Sequence, residues 1–304
     1  MIHDRADERV LFMKLQYRSV EELVSAAKSC NKKISEIILE EQAESMEKTQ
    51  EEIYEKMYAS FQVMKQSVID GMDENLRSSS GLSGGAAAKM RKATEEGRNH
   101  FGTLFGSAMS MALAVSEYNS CMGQIVAAPT AGSCGIIPAA LISVMTEKKI
   151  PEREVVMSLF TASGVGMVIA KNASISGAEG GCQAECGSAS AMAACALTEI
   201  LGGTPEMVST SCAIALKNIL GLVCDPVAGL VEVPCIKRNA MGVANAFTAC
   251  ELACAGITSA IPTEEVILAM KRIGDQMPTT LKETAEGGLA ATPTGCRLCR
   301  EIFS

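Results

Sequence analysis

The sequence predicts an all-α fold, a multi-helix domain of small-residue helices with functional loops between them. Three observations carry this expectation. Hydrophobic residues make up 48% of the 304, yet aromatics only 4%, with no Trp. The core must therefore be built from Ala, Val, Ile, Leu and Met, which suits close-packed helices better than a β-sandwich. Apolar residues recur at helical spacing, without sustained period-2 alternation or a βαβ rhythm. The chain also carries repeated helix start and stop signals.

Taken in order, Ser19-x-x-Glu22 reads as a capping box opening a helix with apolar positions Leu23, Ala26, Ala27 and Cys30. From Ile34 through Ile53 to Val68, apolar residues at helical spacing among Glu and Lys predict a long, wet, amphipathic helix or a pair of helices. The stretch "SSSGLSGGAAA", 78–88, reads as a flexible connection. After about Arg98, helices of small residues follow. Ile150-Pro151 starts one, Gly202-Gly203-Thr204-Pro205 ends one and caps the next, and Ile261-Pro262-Thr263 starts another. The first hundred residues hold 33 of the 62 charged ones. That shift divides the chain into a charged amphipathic segment and linker, 1–90, packed on the same domain as a catalytic region, 91–304.

Composition also limits function. The net charge of −8 with no basic cluster argues against nucleic acid as a partner. The opening "MIHDRADERVLF" has neither the basic nor the apolar region of a secretory signal, so a cytoplasmic chain is expected. The uncharged stretch from Tyr118 to Thr146 is long enough to span a bilayer, but Asn119, Gln124, Pro129 and Pro138 favour buried helices broken by a loop, with no membrane partner. Thirteen cysteines in such a chain point to metal, catalysis or small-residue packing rather than disulfides.

Four loops join Gly or Pro to a cysteine and are rich in Ser, Thr or Asn: "APTAGSCGIIPA" (128–139), "KNASISGAEGGCQAE" (171–185), "CDPVAGLVEVPCIKRN" (224–239) and "GGLAATPTGCRLC" (287–299). Such polar residues are costly to bury without partners, so together they read as walls of a polar pocket. Cys224 and Cys235 stand 11 apart, and Pro226, Gly229 and Pro234 keep the segment between them from forming a continuous helix. With Cys182 behind Gly180-Gly181, three thiolates lie on loop positions, the set an iron–sulfur cube with one unliganded iron requires. Glycine lets backbone N–H groups approach such an anionic cluster. The bland alternative for Cys224 and Cys235 is two buried cysteines at helix ends. Cys186, four residues after Cys182, is the main rival ligand, although with Cys195, Cys212, Cys250 and Cys254 it also reads as a core filler.

Other chemistries fit less well. Cys296 and Cys299 form half a zinc site without a second close pair, and the chain has only His3 and His100. That scarcity of histidine also argues against a Ser-His-Asp or Cys-His engine. "KNASISGAEGG" superficially suggests a pyridoxal-phosphate lyase, but the α/β architecture that would accompany it is missing. Arg238, Thr130, Ser133, Asn172, Ser174, Ser176 and Asn239 are candidates for holding a small substrate's carboxylate and ammonium, with helix capping or loop satisfaction as the competing role of each. A non-enzymatic iron–sulfur sensor is the contrasting reading. It would need the ligands but not the polar pocket.

These motifs, with the late "GGLA", resemble the alpha chain of iron–sulfur-dependent L-serine dehydratase, also called L-serine ammonia-lyase, over about residues 100–299. The resemblance implies a largely helical domain, a [4Fe–4S] cluster without pyridoxal phosphate, and conversion of L-serine to pyruvate and ammonia. By motif match, the cluster ligands fall on Cys182, Cys224 and Cys235. It also implies a beta chain as partner, since nothing in 1–100 is similar to the family's smaller domain, and that chain's histidine becomes the expected base. In the tail, Gly287-Gly288 reads as a hinge and Pro293 and Gly295 as helix breakers, so Cys296 is the candidate to fold back towards the fourth iron. The choice between Cys296 and Cys299 stays open, and a surface tail with an incidental Cys-x₂-Cys is the competing reading.

Overall fold

The computed structural model describes residues 16–304; the opening segment, His3 included, lies outside the described residues. In chain order the α-helices are α1 (Val20–Cys30), α2 (Ile34–Ser45), α3 (Gln50–Asp70), α4 (Ala86–Glu95), α5 (Thr103–Ser120), α6 (Ile136–Lys148) and α7 (Glu152–Asn172). They continue with α8 (Gly177–Gly180), α9 (Ser188–Ile200), α10 (Pro205–Lys217), α11 (Cys235–Cys254), α12 (Thr263–Gln276) and α13 (Pro293–Phe303). Among the described residues there is no sheet; one isolated bridge pairs Cys224 with Lys282. The fold is all-α, as the composition predicted.

Helix α9 forms the centre. Every residue from Ser188 to Glu199 is buried, with α6, α7, α10 and α11 packed around it. Its run of Ala, Ser and Cys keeps the helix thin, so neighbouring backbones come close. Glycines on α7 extend this. A Cβ on Gly164 would lie 2.7 Å from Ile38 Cδ1 on α2, and one on Gly166 2.8 Å from Met192 Cε on α9. The branched residues fill what remains. Leu141, Leu197 and Leu216 are fully buried, and truncating such a side chain to Ala costs about 2–5 kcal/mol. Leu23, Ile38 and Phe61 from α1–α3 join this same core.

The punctuation read from the sequence operates locally. Pro151 and Pro262 precede α7 and α12, and Thr204 Oγ1 accepts the Met207 N–H with Pro205 in the first helical position. The charged amphipathic stretch is a pair of helices, α2 and α3, and Thr49 with Glu52 forms a full capping box at the second. Only half of the box at Ser19 is made. Ser19 Oγ accepts the Glu22 N–H at 3.0 Å, but the Glu22 carboxylate turns to the Arg18 N–H. The uncharged stretch 118–146 is split between the end of α5, a turn at Ala131–Ser133 and α6. By length and composition α7 could cross a bilayer, but 67% of its apolar stretch is buried inside the fold.

Four expectations fail. Residues 78–88 are not a flexible connection: Ser78, Ser80 and Ser83 all bond the Glu232 carboxylate, and α4 begins at Ala86, so the boundary at residue 90 falls within a helix. Pro293 and Gly295 do not prevent a helix. Pro293 opens α13 behind Thr292, whose Oγ1 accepts the Gly295 N–H at 3.0 Å. Gly287-Gly288 is not a hinge either, because Gly288 is pressed against the Asp225 side chain. Among the supposed core cysteines, Cys195, Cys212 and Cys250 are buried, whereas Cys254 is exposed.

Candidate functional site

All three selected cysteines are buried, each at an irregular segment, and they lie within electrostatic reach of one another. Cys182 follows Gly181, whose φ of +75° favours glycine and whose added Cβ would lie 2.6 Å from Met277 Sδ. After Cys182 a π-helical turn, Gln183–Gly187, runs into α9. Cys224 is held through its backbone, its N–H donating to Leu281 O at 2.9 Å and its carbonyl accepting from the Glu283 N–H at 2.8 Å. Cys235 is the first residue of α11. There the unpaired N–H groups of a helix start favour a negatively charged sulfur.

The walls come from the same quoted loops. Glu185, three residues after Cys182, accepts from Thr130 Oγ1 at 2.8 Å, and its Oε2 lies 3.9 Å from Cys224 Sγ. A Cβ on Gly177 would stand 2.7 Å from that oxygen and 3.0 Å from Cys224 Sγ. Gly177 is therefore the glycine that the close approach requires. Asn239 staples the 128–135 loop to α11: its Oδ1 accepts the Gly135 N–H at 2.9 Å, and its Nδ2 donates to Gly132 O at 2.8 Å and Cys235 O at 3.0 Å. Arg238 donates to Val223 O at 2.8 Å and to Asp225 Oδ1 at 2.9 Å.

The model of the serine dehydratase alpha chain family matches residues 29–290. The chain belongs to the serine dehydratase alpha chain family. It is 52% identical over 288 residues to a "Probable L-serine dehydratase, alpha chain" of Bacillus subtilis (strain 168), covering 94% of this chain and 95% of that one. It is 45% identical over 278 residues to the "L-serine dehydratase, alpha chain" of Peptoniphilus asaccharolyticus, covering 90% and 95%. The "L-serine dehydratase" of Streptomyces coelicolor is 40% identical over 298 residues, 95% of this chain but 64% of that longer one.

In this serine dehydratase alpha chain the thiols differ in proton affinity. Cys182 is pushed down, chiefly by its hydrogen bond with Cys186 at an Sγ–Sγ distance of 3.3 Å, with burial opposing and Arg238 assisting. Cys186 keeps its proton, its affinity raised by that same bond and by burial. It is thus a partner of Cys182 as well as a core residue. Burial raises Cys235 to about 12 and raises Cys224 too; Cys182 and Glu185 add to both shifts. Burial, opposed by the Thr130 hydroxyl, holds the Glu185 carboxyl above its ordinary value.

Three cysteine thiols on three separate segments are the kind of donor set that an iron–sulfur cube with one open iron takes. Among the described residues no three His, Cys, Asp or Glu converge on a single ion. A cube takes its protein ligands on different irons, one thiolate to each. Cys182, Cys224 and Cys235 lie within electrostatic reach of one another, with Arg238 and the start of α11 supplying positive potential.

The other sequence candidates separate. Thr130, Ser133, Arg238 and Asn239 belong to the cysteine site; Ser133 is buried with its Oγ 3.2 Å from Thr130 Oγ1. Asn172 caps α7 through Val168 O and bonds Arg18 O, both at 2.8 Å. Ser174 satisfies its own loop through Glu179 and the Ser176 N–H, while Ser176 stands at the start of α8 beside Gly177. Cys296 is exposed on α13, its Sγ 3.7 Å from Ala290 O, and α13 packs on the 227–229 turn of the cysteine loop. Sequence reasoning passed over Glu185, Asp225 and Glu232, carboxylates that lie within the same quoted loops.

Proposed function

We propose that this chain is the alpha subunit of an L-serine dehydratase, converting L-serine to pyruvate and ammonia, with a [4Fe–4S] cluster held by Cys182, Cys224 and Cys235. One observation carries the reading. Three buried cysteines on separate segments lie within electrostatic reach of one another, beside a glycine whose added Cβ would press on Cys224 Sγ and Glu185 Oε2.

The reaction removes the Cα proton and the β-hydroxyl of serine; the resulting aminoacrylate becomes an imine and hydrolyses. When bound, the cluster supplies a Lewis-acidic iron for the hydroxyl. The chain's own residues hold the substrate and exclude water. Arg238, tied on one side to Asp225 and Val223, brings positive charge for the carboxylate. The Thr130 and Ser133 hydroxyls and Asn239 offer polar contacts and fix the loop around it. Glu185, whose carboxyl burial holds above its ordinary value and whose Oε2 lies 3.9 Å from Cys224 Sγ, is the candidate group to hand a proton to the departing hydroxyl oxygen. The base that takes the Cα proton comes from a beta chain, consistent with a relative of which this chain covers 64%. The reducing cytoplasm suits thirteen free thiols. α13 packs on the 227–229 turn of the loop that carries Cys224 and Cys235, and Cys296 on its first turn is the tail's candidate ligand for the fourth iron.

The test is anaerobic reconstitution with iron, sulfide and a beta chain, followed by a pyruvate assay on L-serine. Turnover that requires both chains and the cluster supports the reading. Turnover by the chain without cluster overturns it.

A further inference from the structure

Glu232 is a carboxylate that the chemistry above does not use, and it is only 6% exposed. Its partners are three hydroxyls from a distant part of the chain. Ser78 Oγ and Ser80 Oγ each donate to it at 2.7 Å, and Ser83 Oγ makes a still shorter bond. The serine loop is itself closed, with the Ser78 N–H on Ser83 O at 3.1 Å and the Ser83 N–H on Ser78 Oγ at 3.3 Å. Its far end is held as well. Glu117 accepts the Ala86 and Ala87 N–H groups at 2.9 and 3.0 Å, fixing the start of α4.

The other end of this arrangement is the cysteine loop. Glu232 precedes Cys235 by three residues, and its carbonyl accepts the Ile236 N–H at 3.0 Å. The side chain thus anchors the residue whose backbone begins α11, the helix that presents Cys235. Val233 O accepts the Val227 N–H at 2.8 Å and closes the same loop. At its opposite end, Asp225 is fixed by Arg238 and the Leu289 N–H. The loop carrying Cys224 and Cys235 therefore has two struts.

We infer that Glu232 is a positioning residue for the cysteine site: clamped by Ser78, Ser80 and Ser83, it holds Cys235 towards Cys182 and Cys224. The serine loop, which reads as a linker, thereby becomes part of the machinery that keeps the cluster loop in shape. This rests on the cluster reading for its purpose, but the clamp itself is testable without a cluster.

The experiment uses the full chain, reduced and iron-free, with N-ethylmaleimide alkylation followed at each cysteine by mass spectrometry. Glu232→Gln should raise the alkylation rate of Cys235 about tenfold through local opening of its loop, leaving Cys195 and Cys212 at the wild-type rate. Glu232→Asp should restore part of the protection. After reconstitution, Glu232→Gln should also bleach faster in air, read from cluster absorption. If Glu232→Gln does not fold by circular dichroism, Ser80→Ala and Ser83→Ala carry the same expectation. Unchanged Cys235 alkylation in a folded variant overturns the inference, as does equal acceleration at Cys195. Failure of the wild type to load a cluster would instead count against the ligand assignment, leaving the thiol result intact.

Discussion

Asp225 uses both carboxylate oxygens to tie separate parts of the molecule to the cysteine loop: Oδ1 accepts from Arg238 Nη2 at 2.9 Å and Oδ2 from the Leu289 N–H at 2.8 Å. One residue after Cys224, it sets the direction of the loop, the orientation of Arg238 and the entry of the tail. The ion pair is buried, its side chains only 14% and 5% exposed. Removing one partner from such a pair leaves a buried charge and typically costs about 3–5 kcal/mol. Asp225→Ala should therefore lower the urea midpoint markedly and reduce cluster content, both measurable on one preparation. A surface pair such as Arg297–Glu301 should contribute far less, about 0.3–0.5 kcal/mol.

Gly177→Ala should prevent cluster assembly while leaving the helical fold intact. The new Cβ would press on Glu185 Oε2 and Cys224 Sγ, at 2.7 and 3.0 Å. Gly187→Ala is the matched control, since the nearest atoms to its added Cβ are 4.0 Å away. Iron and sulfide content of the two variants, reconstituted side by side, measures the difference.

The buried Glu199 carboxyl predicts a pH dependence of stability. Burial raises its pKa, against hydrogen bonds from Ser35 and Thr161. The folded state then binds the proton more tightly than the unfolded chain. Its contribution is fully present below the ordinary carboxylate pKa and is lost as pH rises through the raised value. Glu199→Gln should flatten that part of the profile just above the ordinary carboxylate range in urea titrations. A profile as steep as wild type would contradict this.

Much of this was legible from local sequence, because local rules decided it. Thr204-Pro205 caps and starts a helix with partners a few residues away, and Gly180-Gly181 announces Cys182. The misreadings have two sources. Thr292-Pro293 carries the same start signal as Thr204-Pro205, but Gly295 two residues later was weighed as a break; in the structure it sits in the first turn and gives its N–H to the cap. Distance is the second source. Ser78 and Glu232 are 154 residues apart, so nothing near either one reveals that the serine stretch is a clamp. Arg238 is legible as a candidate partner for a carboxylate, but its bonds to Val223 and Asp225 depend on how the loop folds back.

Cys296→Ala tests the tail. If Cys296 competes with substrate for the fourth iron, its removal should lower the apparent KM for L-serine or speed cluster loss in air, whereas Cys299→Ala should behave as wild type. Steady-state kinetics with the beta chain present, together with absorption decay in air, decide it.

The central claim is that Cys182, Cys224 and Cys235 hold the cluster, and the most direct measurement is cluster content after anaerobic reconstitution of single Cys→Ser variants. Cys182→Ser, Cys224→Ser and Cys235→Ser should each lose the cluster absorption and the bound iron and sulfide. Cys186→Ser, Cys195→Ser and Cys250→Ser should retain them. Full cluster content in Cys224→Ser, or its loss in Cys186→Ser with retention in Cys182→Ser, would contradict the assignment.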